Sequence, residues 1–199
     1  MSHQNGDEHQ VGGKLLACPI CGQAHFQLNQ TLMSTKGANF LGFDWNNPNA
    51  DTYTCTQCGY ILWFLPGNTE GEEFDVHGQR LACAFCNHTS FSRLETLMST
   101  KGATFMKMDW TNPNADNYIC ANCAHVLWFM QTIDNKAGHE CEIAGYKLSC
   151  QICHNTHFWT RETLMSGKGA TFMGMDWAER TAVNYICTQC AHILWFAGS

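Results

Sequence analysis

The sequence predicts a small, metal-stabilised all-β protein made of three tandem copies of one unit. Two observations carry that prediction: six C-x-x-C motifs paired at a fixed interval, and short apolar runs with a period of two. The pairs are Cys18-Pro-Ile-Cys21 with Cys55-Thr-Gln-Cys58, Cys83-Ala-Phe-Cys86 with Cys120-Ala-Asn-Cys123, and Cys150-Gln-Ile-Cys153 with Cys187-Thr-Gln-Cys190. Thirty-three residues separate the two motifs in every copy. Two thiolates two residues apart can grip one ion from a single tight turn, and a tetrahedral ion needs a second such turn. The spacing therefore encodes three four-cysteine metal sites, with zinc as the expected ion.

The 199 residues include 13 cysteines, so Cys141 is left over. A disulfide scaffold is the competing use of so many cysteines. Two features argue against it: the polar opening Met1–Gln10 lacks an export signal, and every matched cysteine sits in a C-x-x-C motif. The expected compartment is the cytoplasm, which keeps thiols reduced. No apolar run is long enough for a membrane-spanning helix.

The copies align from their first cysteines without a gap. Each opens on an apolar residue, a glycine and a leucine (Val11, Gly13, Leu16; Val76, Gly78, Leu81; Ile143, Gly145, Leu148), and a phenylalanine (Phe26, Phe91, Phe158) follows the first motif. Thr31-Leu-Met-Ser-Thr-Lys-Gly-Ala38 then recurs unchanged as Thr96–Ala103 and with one change as Thr163–Ala170. Another phenylalanine (Phe40, Phe105, Phe172) leads into Asp44-Trp45, Asp109-Trp110 or Asp176-Trp177. Each copy closes on Tyr-x-Cys-x-x-Cys and Leu-Trp-Phe. Alternation over Leu41–Trp45 and over Met106–Trp110 reads as strand, and Ile61–Phe64 is too short for a helix of normal length. Turn residues at Ser34–Gly37 and Asn46–Asn49 complete a three-stranded antiparallel unit.

The expected organisation is a disordered N-terminus over 1–10, units at 11–65, 76–130 and 143–197, an acidic linker over 66–75 and a second linker over 131–142. Such linkers favour units that tumble semi-independently. About fifty-five residues make a poor core alone, so metal closure must supply much of each unit's stability.

This pattern resembles the zinc-ribbon superfamily, in which two cysteine knuckles are joined by a three-stranded antiparallel sheet. More narrowly, each copy resembles the small bacterial single-ribbon proteins described as predicted nucleic-acid-binding zinc ribbons. The resemblance rests on Cys18, Cys21, the Ser34–Gly37 loop, Phe40, Asp44 and Tyr53-Thr-Cys-Thr-Gln-Cys-Gly-Tyr60. It implies three zinc ions held by Cys18, Cys21, Cys55 and Cys58; Cys83, Cys86, Cys120 and Cys123; and Cys150, Cys153, Cys187 and Cys190. Copies two and three carry Ala124 and Ala191 where the first has the knuckle glycine Gly59.

Four thiolates per site leave no open position for catalytic zinc, and no nucleophile elbow, paired carboxylates or dinucleotide fingerprint is present. The expected function is thus a non-enzymatic interaction array for protein or single-stranded nucleic acid, without a membrane or small-molecule substrate. The alternative is a rubredoxin-like iron electron carrier, since four cysteines also suit iron. The candidate binding surface is Lys36, Gly37 and Trp45 with their counterparts Lys101, Gly102 and Trp110, and Lys168, Gly169 and Trp177. Stacking on the tryptophans with phosphate contacts from the lysines would suit a single strand. Charge points the other way. The formal charge of −6 falls to about −12 once three divalent ions bind twelve thiolates. Seven tryptophans exceed what three thin ribbons can bury, so some must meet another ribbon or a partner. The histidines near the knuckles (His25, His88, His125, His154, His157, His192) are expected to face solvent or to cap a thiolate.

Overall fold

The computed structural model describes residues 6–33, 48–67, 70–98, 113–165 and 180–198. They are all-β, with no helix among the described residues. In the first unit, β1 (Asp7–Glu8), β4 (His25–Leu32), β5 (Asn49–Cys55) and β6 (Ile61–Phe64) form one antiparallel sheet in that spatial order, while β2 (Gln10–Val11) and β3 (Lys14–Leu15) form a hairpin. The second unit repeats this with hairpin β7 (Asp75–Val76) and β8 (Gln79–Arg80), and a sheet of β9 (Phe91–Leu97), β10 (Asn114–Cys120) and β11 (Val126–Met130). The third has hairpin β13 (Glu142–Ile143) and β14 (Tyr146–Lys147). Its sheet is β12 (His139–Glu140), β15 (His157–Met165), β16 (Arg180–Cys187) and β17 (Ile193–Ala197).

Two expectations need correction here. The stretch expected to be disordered supplies β1, whose Asp7 and Glu8 pair with Phe26 and His25. The linkers also enter the sheets: Glu72 bridges to Phe91 and His139 pairs with Phe158. Each unit's first long strand has an otherwise open edge, and covering it satisfies backbone groups that would be left unpaired. The chain before each knuckle does this, in equivalent positions in all three units. Only in the second unit is the contact a single bridge rather than a strand. The strands read at Leu41–Trp45 and Met106–Trp110 lie outside the described residues.

The larger correction concerns how the units meet. They do not hang on flexible linkers; they close a ring. Leu65 of the first unit donates its N–H to the Ala124 carbonyl of the second at 2.9 Å. Met130 of the second donates to Ala191 of the third at 3.0 Å, and Ala197 of the third donates back to Gly59 of the first at 2.8 Å. Beside these bonds lie three matching bridges, Phe64 to His125, Phe129 to His192 and Phe196 to Tyr60. Their rings are 5.2, 5.2 and 5.3 Å apart between centroids. The closing strand of each unit is thereby capped by the second knuckle of the next.

The physical cause is the apolar run of the closing strands. Ile61, Leu62, Trp63 and Phe64 are all buried, as are all five residues of β11. A strand apolar at every position needs cover on both faces. Leu62 and Phe64 face the side of the cysteines, where Leu16, Phe26, Leu81, Phe91, Leu148 and Phe158 complete the packing. Ile61 and Trp63 face the other side, joining Met33, Ala50 and their equivalents in a second core that all three sheets share. At its centre the Trp63, Trp128 and Trp195 rings meet edge-on, with centroids 5.0, 5.0 and 4.8 Å apart and interplanar angles of 60, 60 and 61°. The three units are related by a pseudo-three-fold axis through this cluster. The excess of tryptophan read in the sequence is met in part by another ribbon.

Candidate metal centres

Each centre is built from two tight turns. In the first, the Cys18 N–H bonds to the Gln23 carbonyl and the Gly22 N–H returns to the Cys18 carbonyl, both at 2.8 Å. The second turn repeats the pattern, with Cys55 N–H to Tyr60 and Gly59 N–H to Cys55. This forces the residue after the second cysteine into the left-handed region. Gly22 and Gly59 accept that at φ 77 and 75°, but Asn87, Ala124, His154 and Ala191 adopt it at 60–63°. Asparagine tolerates this conformation, whereas alanine carries a Cβ penalty. The knuckle is held by metal geometry and by the inter-unit bond its carbonyl accepts, and these outweigh the local cost.

The twelve predicted cysteines come together as three sets of four. Within each set all sulfurs lie within 4.8 Å of one another. Within the sets Cys18–Cys58 and Cys21–Cys55 stand at 3.5 Å; Cys83–Cys123 at 3.6 Å and Cys86–Cys120 at 3.5 Å; and Cys150–Cys190 and Cys153–Cys187 at 3.5 Å. A disulfide would need about 2.05 Å. A tetrahedron with metal–sulfur bonds of ~2.3 Å has an edge of about 3.8 Å. The donor sets therefore fit tetrahedral metal ions. Three sulfurs of each set are buried and one, on Cys21, Cys86 or Cys153, is half-buried.

The acid–base chemistry agrees. In the first set Cys55 is held down to about 2 by hydrogen bonds from Cys18 and Cys58, while Cys18 is pushed up to about 12 by its bond with Cys55. Cys120 and Cys187 are lowered in the same way, and Cys123 and Cys150 are raised to about 12. Four sulfurs this close cannot all be thiolates on their own charge; a divalent cation removes the conflict.

Of the six histidines near the knuckles, His125 and His192 are buried, and the other four are exposed. Their Nδ1 atoms stand 3.7 Å from Cys83 Sγ and 3.6 Å from Cys150 Sγ, within reach of an N–H···S bond. Burial lowers both to about 4, so they are neutral at pH 7 and can donate to a thiolate. The first unit has Tyr60 in this position. Its hydroxyl instead accepts from Gln151 Nε2 of the third unit at 3.2 Å. Hairpins also reach the neighbouring centres: Gly12 backs onto Cys123, and Tyr146 accepts from Gln57. Every metal site is thus part of a joint between units.

The candidate binding residues Lys36, Gly37, Trp45, Lys101, Gly102, Trp110, Lys168, Gly169 and Trp177 all lie outside the described residues. What is described is where their segments leave the sheets. Thr31, Leu32, Met33, Thr96, Leu97, Thr163 and Leu164 line one cavity together with the tryptophan cluster. Sequence reasoning missed this convergence, and with it the roles of Trp63, Trp128 and Trp195. The available signal was the Leu-Trp-Phe run, which has no polar face.

Fold and sites together define a protein of tandem zinc-ribbon-like units, each carrying one four-cysteine metal site, arranged as a closed three-membered ring. No family profile, no curated protein and no solved structure matches the chain.

Proposed function

We propose that this chain is a non-enzymatic scaffold, held by three zinc ions, that presents three copies of one segment to a protein partner from around a single axis. The observation that carries the reading is the convergence of Thr31–Met33, Thr96–Leu97 and Thr163–Leu164 on one cavity. The repeated Thr-Leu-Met-Ser-x-Lys-Gly-Ala segments begin there. Lys36 and Lys101 are three residues beyond Met33 and Met98, a reach of about 10 Å. Three lysines strung along separate modules would act singly; three issuing from one end of a ring can engage one site at once. Zinc is the ion because closed, largely buried four-thiolate sites on paired knuckles suit a structural metal, and their saturation leaves no position for a substrate. Reduced thiols fit a reducing compartment such as the cytoplasm.

Single-stranded nucleic acid is the second reading. The recurrent lysines and the resemblance to nucleic-acid-binding ribbons favour it, while a loaded charge of about −12 opposes it. The test compares the zinc-loaded chain with the triple variant Lys36→Ala, Lys101→Ala, Lys168→Ala in affinity capture and in a salt titration against single-stranded oligonucleotides. Selective capture of a protein by the wild type supports the scaffold. Equal capture by both forms removes the segments from the argument. Salt-dependent binding of oligonucleotides that the variant loses would transfer the reading to nucleic acid. Metal analysis with a visible spectrum separates zinc from an iron electron carrier, which would be coloured.

A further inference from the structure

The shared core contains polar groups that its apolar packing does not explain. The Nε1 atoms of Trp63, Trp128 and Trp195 are buried without a hydrogen-bond partner among the described residues. The rings themselves are only 3–5% exposed. All three line one cavity of about 30 Å³, in company with the buried Thr31, Thr96 and Thr163. An indole nitrogen can only donate. An orphaned buried donor costs on the order of 1–3 kcal/mol, and here it recurs in three equivalent places.

The groups behind the cavity add to the excess of donors. Sheet register puts Thr52, Asn117 and Asn184 directly opposite Trp63, Trp128 and Trp195. Thr96 Oγ accepts from Asn117 Nδ2 at 2.7 Å, which leaves the threonine hydrogen free to donate. Thr163 gives its hydrogen to Asn184 Oδ1, leaving the Asn184 amide nitrogen without an acceptor. Against these donors the same cluster holds one orphaned acceptor, Asn117 Oδ1. A cation lies on the same face of the third sheet, outside the cavity's lining. Arg161 shares a cross-strand row with Asn184 and Trp195, and its guanidinium donates across the ring to the Met98 carbonyl at 3.1 Å. Among the described residues it has no carboxylate in ion-pair contact, with Asp134 acting on it only from farther off.

We infer that the cavity on the pseudo-three-fold axis is a binding site for a small inorganic anion of chloride size, received by the indole N–H groups of Trp63, Trp128 and Trp195 and the Thr96 hydroxyl. Size and polarity both select it. The volume holds one monatomic ion or one or two waters, and a ligand that only accepts matches the donor excess better than water does. Arg161 supplies positive charge on the same face, while the negative thiolate sites lie on the opposite face of each sheet. The site is a property of the ring, because each unit contributes one tryptophan and one threonine.

The test uses the full zinc-loaded chain, labelled with ¹⁵N and transferred to chloride-free buffer. Indole N–H resonances are followed during titration with sodium chloride, and with sodium gluconate as an ionic-strength control. Three of the seven indole signals should move together and saturate with chloride but not gluconate. Bromide should compete, and a bromide-soaked crystal should show anomalous density on the axis. Trp128→Phe keeps the ring and removes one donor, and should weaken the apparent affinity about ten-fold or more. Signals that respond identically to both salts, with no anomalous density, would mean that water fills the cavity and would overturn the proposal. So would upfield, salt-independent resonances, which would show the N–H groups spent on neighbouring ring faces.

Discussion

Replacing Trp128 by alanine tests whether the ring is one cooperative body. The side chain is 5% exposed and its ring meets Trp63 and Trp195 at 5.0 and 4.8 Å. Truncating a buried tryptophan to alanine costs about 3–5 kcal/mol, and the two edge-on ring contacts put this site at the upper end. A loss of about 5 kcal/mol is a third or more of a typical domain's stability. With a urea slope of about 2.5 kcal/mol per molar, the midpoint should fall by about 2 M. Trp63→Ala and Trp195→Ala should fall by similar amounts, since all three occupy equivalent places. Combining Trp63→Ala with Trp128→Ala should cost less than the sum, by about 0.5–1.5 kcal/mol, because their shared contact is lost only once. The assay is urea unfolding in a zinc-buffered solution, read by tryptophan fluorescence and by far-ultraviolet circular dichroism. Coincident single transitions are expected for every variant. Two separated transitions, one retaining the wild-type midpoint, would show the units folding apart and refute the shared core.

The other predictions address the joints. Cys123→Ser should lower bound metal from three equivalents to two, measured by elemental analysis. Because a structural site contributes on the order of 10 kcal/mol, the variant should also lose the single unfolding transition of the whole ring, not that of the second unit alone. Ala124→Gly should stabilise the ring by up to about 1 kcal/mol, raising the urea midpoint by up to about 0.4 M, since φ of 63° is strained for alanine and not for glycine; Ala191→Gly should gain less, because its methyl is buried in the shared core. Tyr60→Phe removes the hydroxyl that accepts from Gln151 and should cost about 1 kcal/mol, with no change in metal content.

The metal sites were legible in the sequence because their chemistry is local. A C-x-x-C turn needs only four consecutive residues to aim two sulfurs at one point, and a constant interval of thirty-three residues names its partner. The ring was not legible, because it is made by contacts between residues far apart in the chain, such as Leu65 with Ala124, Trp63 with Trp128 and, to close it, Ala197 with Gly59. No periodicity encodes such a pairing. The linkers misled because their acidic, glycine-containing composition describes exposure, and Glu72 and His139 are exposed on the outer edge while their backbones still bond to a sheet. One clue was available in Ile61–Phe64. A four-residue strand with no polar position cannot stay in a one-layer ribbon, so its second face had to find another sheet.

Ring closure also explains why three unequal copies persist in one chain. Around a three-fold axis, equivalent positions meet, so identical residues there would face each other three at a time. On the core face the tryptophan is kept in all three copies, because three indoles fill the centre edge-on. One strand further out the copies diverge to Thr52, Asn117 and Asn184, and at the knuckle to Tyr60, His125 and His192. At these places the second and third copies share one arrangement and the first has another. Tyr60 binds Gln151 across one joint, where the histidines at the other two turn to a cysteine sulfur. Fusion into one chain permits this asymmetry, which a symmetric trimer of separate ribbons could not hold. The repeated Thr-Leu-Met-Ser-x-Lys-Gly-Ala segments stay nearly identical, and their opening residues Thr31, Met33, Thr96, Met98 and Thr163 are buried at the shared core, where the three copies meet in equivalent places.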